Sequence, residues 1–206
     1  SEQVGEAGLT APVQWHLETQ GRDRDDKAMY KLKADVTFCV SNTVSMLEYY
    51  HCSSYLEHGG SPDKAVRAAF VSAIDKYIRD TGKYNKSEQK SKITFADIAD
   101  SLVLVISSHS TVASYENQTK KAITNSFIQE SMTEVLKENL ATYFVEKPVE
   151  AEKIANQVLL NKRSRETAER SRIDIKKKLS AAMDVSYRVE KFVGCPSKDP
   201  SVRELY

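Results

Sequence analysis

The sequence predicts a domain of mixed strands and helices, and three observations lead there. Residues 31–40 alternate polar with apolar side chains, the pattern of a half-buried antiparallel strand. Residues 102–106, Leu-Val-Leu-Val-Ile, form an unbroken apolar run of buried-strand length. Apolar side chains then recur at helical spacing over residues 65–78 and again over 128–144.

Composition bounds the rest. The 206 residues are 40% hydrophobic and 29% charged, ordinary for a globular chain able to bury a core. A net charge of +1 excludes a uniformly basic nucleic-acid coat, so any such contact must come from a local patch. Cys39, Cys52 and Cys195 are odd in number and lack CxxC spacing, which argues against a disulfide framework or zinc site and suits a reducing, cytoplasmic setting. No apolar run approaches the 18 residues of a membrane span.

Taken in order, residues 1–12 read as a disordered end or excised junction. Residues 13–19 alternate and suit an edge strand, and 20–27 form a charged, exposed turn. After the strand at 31–40, the aromatic stretch 47–55 reads as one strand, with Tyr49, Tyr50 and Tyr55 as packing residues. Gly59-Gly60 breaks the pattern. Ser61 is placed to cap a helix with Pro62 at its first position, and the helix runs to about Asp80, with Gly82 ending it. Residues 83–92 form a polar, lysine-rich and mobile connection, 95–100 a turn, and 102–106 the central strand. The serine-rich stretch 107–114 leads to Tyr115-Glu116-Asn117-Gln118-Thr119-Lys120-Lys121. A helix follows from about Ser126, stopped by Pro148. From Val149 to about Leu179 neither Gly nor Pro intervenes. That helix is apolar at Ile154, Val158 and Leu159, then mostly charged. Residues 184–206 read as a linker. The divisions expected are thus a junction at 1–12, a domain at 13–160, a basic connecting helix at 161–183 and the linker.

The loop at 115–121 lies between a strand and a helix, where mixed folds commonly meet phosphate. Lys120 offers an ammonium and Gln118 an amide, and both could point at one anion. A solvated polar loop would use the same residues. Glu57, Asp97 and Asp100 read as turn and cap residues. His51, His58 and His109 lack ligand spacing, and no metal site is expected.

The Gln118-Thr119-Lys120 loop resembles the Gln-Thr-Lys loop in the transducer domain of the B subunit of bacterial type IIA topoisomerases, DNA gyrase and topoisomerase IV. Other blocks recur in the family's order. His58-Gly59-Gly60-Ser61 is similar to its Gly-Gly-Thr turn, and 97–102 to the acidic turn before the strand. Asn125-Ser126 is similar to an Asn-Ser pair. Arg163-Ser164-Arg165-Glu166-Thr167-Ala168-Glu169-Arg170-Ser171-Arg172 is similar to the exit helix, and 197–206 to the segment before the Toprim domain. One departure is Glu57-His58, where relatives carry a basic-acidic pair.

The resemblance implies an α+β fold of the ribosomal-protein-S5-domain-2-like class: a mixed sheet, packed helices and a long protruding C-terminal helix. It implies a catalytic, phosphate-sensing role for Lys120, with Gln118 and Lys120 as nucleotide contacts and Lys121 facing solvent. ATP and Mg2+ would be held mainly by a separate ATPase domain, and the fragment alone would be inactive. The implied partners are double-stranded DNA, the A subunit and a second B subunit, with the fragment monomeric and the enzyme cytoplasmic and nucleoid-associated. The basic helix has three readings: a solvated helix, a rigid lever, or a DNA-facing surface built from Lys162, Arg163, Arg165, Arg170 and Arg172. Two rival functions use the same residues. A small-molecule kinase of similar fold would need a Gly/Ser-rich phosphate loop, which this sequence lacks. A nucleic-acid-binding adaptor with a basic arm would favour apolar heptads, which fade after Leu160.

Overall fold

The computed structural model describes residues 8–86, 88, 91–116 and 118–186, with side chains as far as residue 180. Five strands, β1 (Val13–Gly21), β2 (Tyr30–Val40), β3 (Met46–His51), β4 (Ser54–Tyr55) and β5 (Leu102–Ser110), form one sheet in the order β1-β2-β5-β3-β4. All neighbours are antiparallel except β3 and β5, which run parallel. The sheet is therefore mixed, β1 is an edge and β5 is the centre, as the sequence suggests.

The alternation in β2 places Leu32, Ala34, Val36 and Phe38 on a covered face, with Lys31, Lys33, Asp35 and Thr37 opposite. On that open face directly opposed residues pair: Lys33 with Glu18 in an ion pair at 3.1 Å, and His16 with Asp35 in a hydrogen-bond contact at 2.9 Å.

Among the described residues four helices complete the fold: α1 (Ser61–Asp80), α2 (Phe95–Ala99), α3 (Ser126–Glu146) and α4 (Pro148–Ser186). Phe38 shows how they meet the sheet. Its ring lies 5.4 Å from that of Phe70 on α1, 5.9 Å from that of Tyr143 on α3, and 4.9 Å from Trp15 on β1. Burying such a ring contributes about 2–3 kcal/mol. The first part of α4 adds a stripe at Ala151, Ile154, Ala155, Val158 and Leu159, all buried. The chain divides into a compact unit ending at Ser164 and a second from Arg165 onward, four residues beyond the expected limit of 160.

Several local expectations need correction. Residues 8–12 do not form a loose end: Gly8 bridges Ser41, Leu9 N–H donates to the Val40 carbonyl at 2.8 Å, and Thr10 is buried. Cys52 and Ser53 split the stretch 47–55 into two strands by adopting positive φ (47° and 64°), although neither is glycine. Within it Tyr55 is exposed rather than packed in the core. The strand β5 extends to Ser110, where Ser108 and Ser110 pair with Ala34 and Leu32 of β2 and their hydroxyls bond inward to His51.

The turn at 95–100 is a short helix with a capping box, Thr94 N–H donating to the Asp97 carboxylate at 2.8 Å. The lysine-rich connection is tethered at several of its described positions: Lys83 pairs with Glu152 at 2.8 Å, and Tyr84 donates to Asp75 at 2.7 Å. Residues 184–186, expected to open the linker, still belong to α4, while the expected junction before residue 8 and the rest of the linker after 186 lie outside the described residues.

Candidate functional site

The Gly-Gly turn and the Gln-Thr-Lys loop, far apart in sequence, are built into one structure. Gly60, not Ser61, is the N-cap of α1, at φ 78° and ψ −133°. Gly60 bridges Ile123, and a Cβ there would lie 2.2 Å from the Ile123 carbonyl oxygen, so only glycine fits. Ser61 is freed from capping. Its N–H donates to the Ile123 carbonyl at 2.8 Å and its hydroxyl to the Asn125 carbonyl at 2.8 Å.

The loop is a narrow excursion with a paired base. Tyr115 and Ile123 form an antiparallel bridge, Glu116 N–H donates to Ala122 at 3.0 Å, and Thr124 N–H donates to Ser114 at 2.8 Å. Asn125, buried at the start of α3, ties the two limbs by accepting from Ser114 N–H at 2.7 Å.

Behind Asn125 stands Asp23, from the turn expected to be merely exposed. Its carboxylate accepts from Asn125 Nδ2 at 2.9 Å, the Tyr30 hydroxyl at 2.8 Å and Phe127 N–H at 3.0 Å. Burial raises the Asp23 carboxyl, but these hydrogen bonds outweigh it and hold the group below the usual carboxylate range. It does the work of a helix cap from another element, which no local motif announces.

At the tip, Gln118 and Lys120 are both exposed. Lys120 has φ 56°, an uncommon backbone for a lysine. Its ammonium lies 5.5 Å from the centre of the Tyr115 ring, and among the described residues no carboxylate pairs with it. Lys121 is ion-paired with Glu57, so neither is a bare solvated charge. Beneath Tyr115, 6.4 Å away, lies the buried ring of His51, whose nitrogens meet the hydroxyls of Ser108 at 2.9 Å and Ser110 at 3.1 Å. Burial, reinforced by His109, pushes His51 down to about 4, so it is neutral and structural at pH 7.

The five cations proposed to face DNA divide. Lys162 is fully buried, which removes it from any DNA-facing surface. It falls at the next place in the α4 apolar stripe, three and four residues after Leu159 and Val158, a spacing readable in the sequence. Arg163 is committed to Glu88, donating at 2.7 Å and 3.0 Å. The hydrogen bond from Arg163, with the Asn85 N–H and the nearby charge of Lys162, overcomes burial and lowers the Glu88 carboxyl to about 2. Arg165, Arg170 and Arg172 are exposed.

The loop tip suits one anionic contact and not a complete nucleotide site. It offers one ammonium and one amide on an exposed turn, and among the described residues no group of three metal-ligating side chains exists.

The fold is that of topoisomerase B-subunit domains. It is shared with the 43K ATPase domain of Thermus thermophilus gyrase B, crystallised with an aminocoumarin, at TM-score 0.66 and 17% identity, covering 83% of this chain and 43% of that one. The topoisomerase IV ATP-binding domain of Francisella tularensis, solved with a small-molecule inhibitor, matches at TM-score 0.57 and 22% identity, covering 72% and 39%. The sequence carries the relation further. The family model for DNA gyrase B matches residues 8–173, and the chain belongs to that family. The DNA gyrase B subunit of Campylobacter jejuni is 31% identical over 148 residues, 72% of this chain and 19% of that protein. The same subunit of Spiroplasma citri is 27% identical over 156 residues, 75% and 24%. The chain therefore spans about a fifth to a quarter of the relatives it matches.

Proposed function

We propose that this chain is the transducer domain of a type IIA topoisomerase B subunit. In the full enzyme Lys120, with Gln118 beside it, contacts the terminal phosphate of ATP held by a separate ATPase domain, and gain or loss of that contact is coupled to passage of one DNA duplex through another. DNA, the A subunit and a second B subunit are the partners of that larger assembly. The observation that carries the reading is the joining of two separated motifs, Gly59-Gly60-Ser61 and Gln118-Thr119-Lys120, into one braced loop with Lys120 at its exposed tip.

Bound ATP and Mg2+ supply the phosphoryl chemistry. This chain supplies a charge at the terminal phosphate, where charge develops during hydrolysis. An ammonium there binds the triphosphate more tightly than the diphosphate, and such a difference is what lets nucleotide state shift a conformational equilibrium. The loop base runs through Asn125 directly into α3, which packs with α1 and the sheet, so a pull on the tip is borne by the domain. The first part of α4 is docked on the same core through Ala151, Ile154, Ala155, Val158 and Leu159, which supports reading that helix as the element that carries the motion onward.

Lys120→Gln removes the charge at similar length. It is expected to cost about 10²-fold in ATP turnover by the intact subunit, roughly 3 kcal/mol. Lys121→Gln should change turnover less than about twofold, because its ammonium serves Glu57. Equal, small effects in steady-state ATPase assays would return the loop to a solvated turn. The chain by itself should bind a non-hydrolysable ATP analogue no tighter than about millimolar in calorimetry, since one cation and one amide supply little of the roughly −8 kcal/mol that micromolar affinity needs. A micromolar constant would mean a nucleotide pocket of its own.

A further inference from the structure

Lys120 and Lys121 are adjacent, carry the same charge and meet different partners. The Lys121 ammonium is ion-paired with Glu57, and its carbonyl accepts from His58 N–H at 3.0 Å, so side chain and backbone are both held by the turn before Gly59. The Lys120 ammonium instead lies over the Tyr115 ring. An aromatic face attracts an ammonium without carrying a formal charge. A carboxylate in that place would repel an arriving phosphate and would have to be displaced by it. The two partners therefore leave one lysine open to an anion and engage the other.

We infer that Glu57 is a positioning residue that decides which of the two lysines meets the phosphate, engaging Lys121 so that Lys120 is the one presented. The inference rests on the reading of Lys120 as the terminal-phosphate contact. Its strength is bounded by exposure: the Lys121 and Glu57 side chains are 42% and 52% exposed, and pairs of that kind shift an equilibrium by no more than about fivefold. Glu57 is a bias between neighbours, not a lock.

Two measurements test it. The first needs no nucleotide. Glu57 titrates below the usual carboxylate range, chiefly through its hydrogen bond from Lys121. In the full 206-residue chain, carboxyl-carbon NMR should show Lys121→Gln moving that titration upward and Lys120→Gln leaving it in place. Equal movement in both variants would overturn the sorting of the two lysines.

The second measurement uses the intact subunit and the ratio of affinities for a non-hydrolysable ATP analogue and ADP, read by equilibrium binding. Lys120→Gln should lower the ratio about tenfold, the effect of losing a charged hydrogen bond. Adding Glu57→Gln should restore about threefold, because Lys121 is then free to turn to the phosphate. Adding Lys121→Gln to that pair should abolish the recovery. No recovery in the double variant overturns the role of Glu57. A ratio unmoved by Lys120→Gln overturns the phosphate reading itself, whatever the Glu57 titration shows.

Discussion

Along α4, Lys162 and Arg163 close one compact unit, while Arg165, Arg170 and Arg172 open the next. Lys162 is fully buried, and Arg163, though itself exposed, holds the buried Glu88 carboxylate of the first unit, whereas the three later arginines are exposed and belong to the second unit. As a string of letters the stretch is uniformly basic. What separates its ends is the stripe of Ala151, Ile154, Ala155, Val158 and Leu159, whose next place falls on Lys162. A charge count along a helix does not say which cations face water; the phase of the preceding apolar stripe does.

The largest effect that sharpens this contrast is expected at Lys162. Lys162→Ala removes a buried side chain and a charge beside Glu88, and should destabilise the domain by about 3–5 kcal/mol in denaturant unfolding. A loss under about 1 kcal/mol would place Lys162 with the exposed arginines.

The next effect is a pH dependence. Glu88 is held at about 2 against an ordinary 4.5, so the folded state binds its proton later than the unfolded chain does. The stability this gives is present above pH 4.5 and is lost as pH falls toward 2. Arg163→Gln removes the chief cause. It should lower stability at pH 7 by about 2 kcal/mol and flatten the acid dependence in that window. Denaturant midpoints measured across the window in both proteins decide it.

The smallest effect is expected from Arg165, Arg170 and Arg172 changed together to Gln, within about 0.5 kcal/mol of the parent. If these side chains touch phosphates in the full enzyme, the log-log salt slope of DNA binding should flatten by up to about one for each phosphate no longer neutralised. An unchanged slope with altered coupling of ATP turnover to strand passage would leave the lever reading alone.

The same contrast runs between what the sequence shows and what it hides. The alternation of β2, the apolar run of β5 and the periodicity of α1 and α3 are legible because burial repeats at the period of the backbone. The split at Cys52-Ser53 is not, because positive φ there falls on residues that rarely adopt it. Ser108 and Ser110 read as loop by propensity; pairing with Ala34 and Leu32 of β2 makes them strand, and the buried His51 ring takes up their hydroxyls. In the site, Gln118 and Lys120 are recognisable as a motif. Their bracing by Asp23 and Asn125, and the partners that distinguish Lys120 from Lys121, arise from contacts between distant segments. Periodicity carries no record of such contacts.

The place of β5 at the centre of the sheet bears on how the chain is made. On a ribosome, β2 and β3 emerge well before their shared partner, since Leu32 pairs with Ser110 and Met46 with Val103. Until β5 is released, the inner edges of the β1–β2 hairpin and of β3 remain open, and the apolar stripe of α1 has only two unjoined pieces of sheet to rest on. Closure is then one late, non-local event, slow by the measure of contact separation and open to wrong pairing while it waits. A ribosome-stalled chain ending shortly before β5 should therefore remain sensitive to protease across β2 and β3, and one extended past Ser110 by the length of the exit tunnel should not.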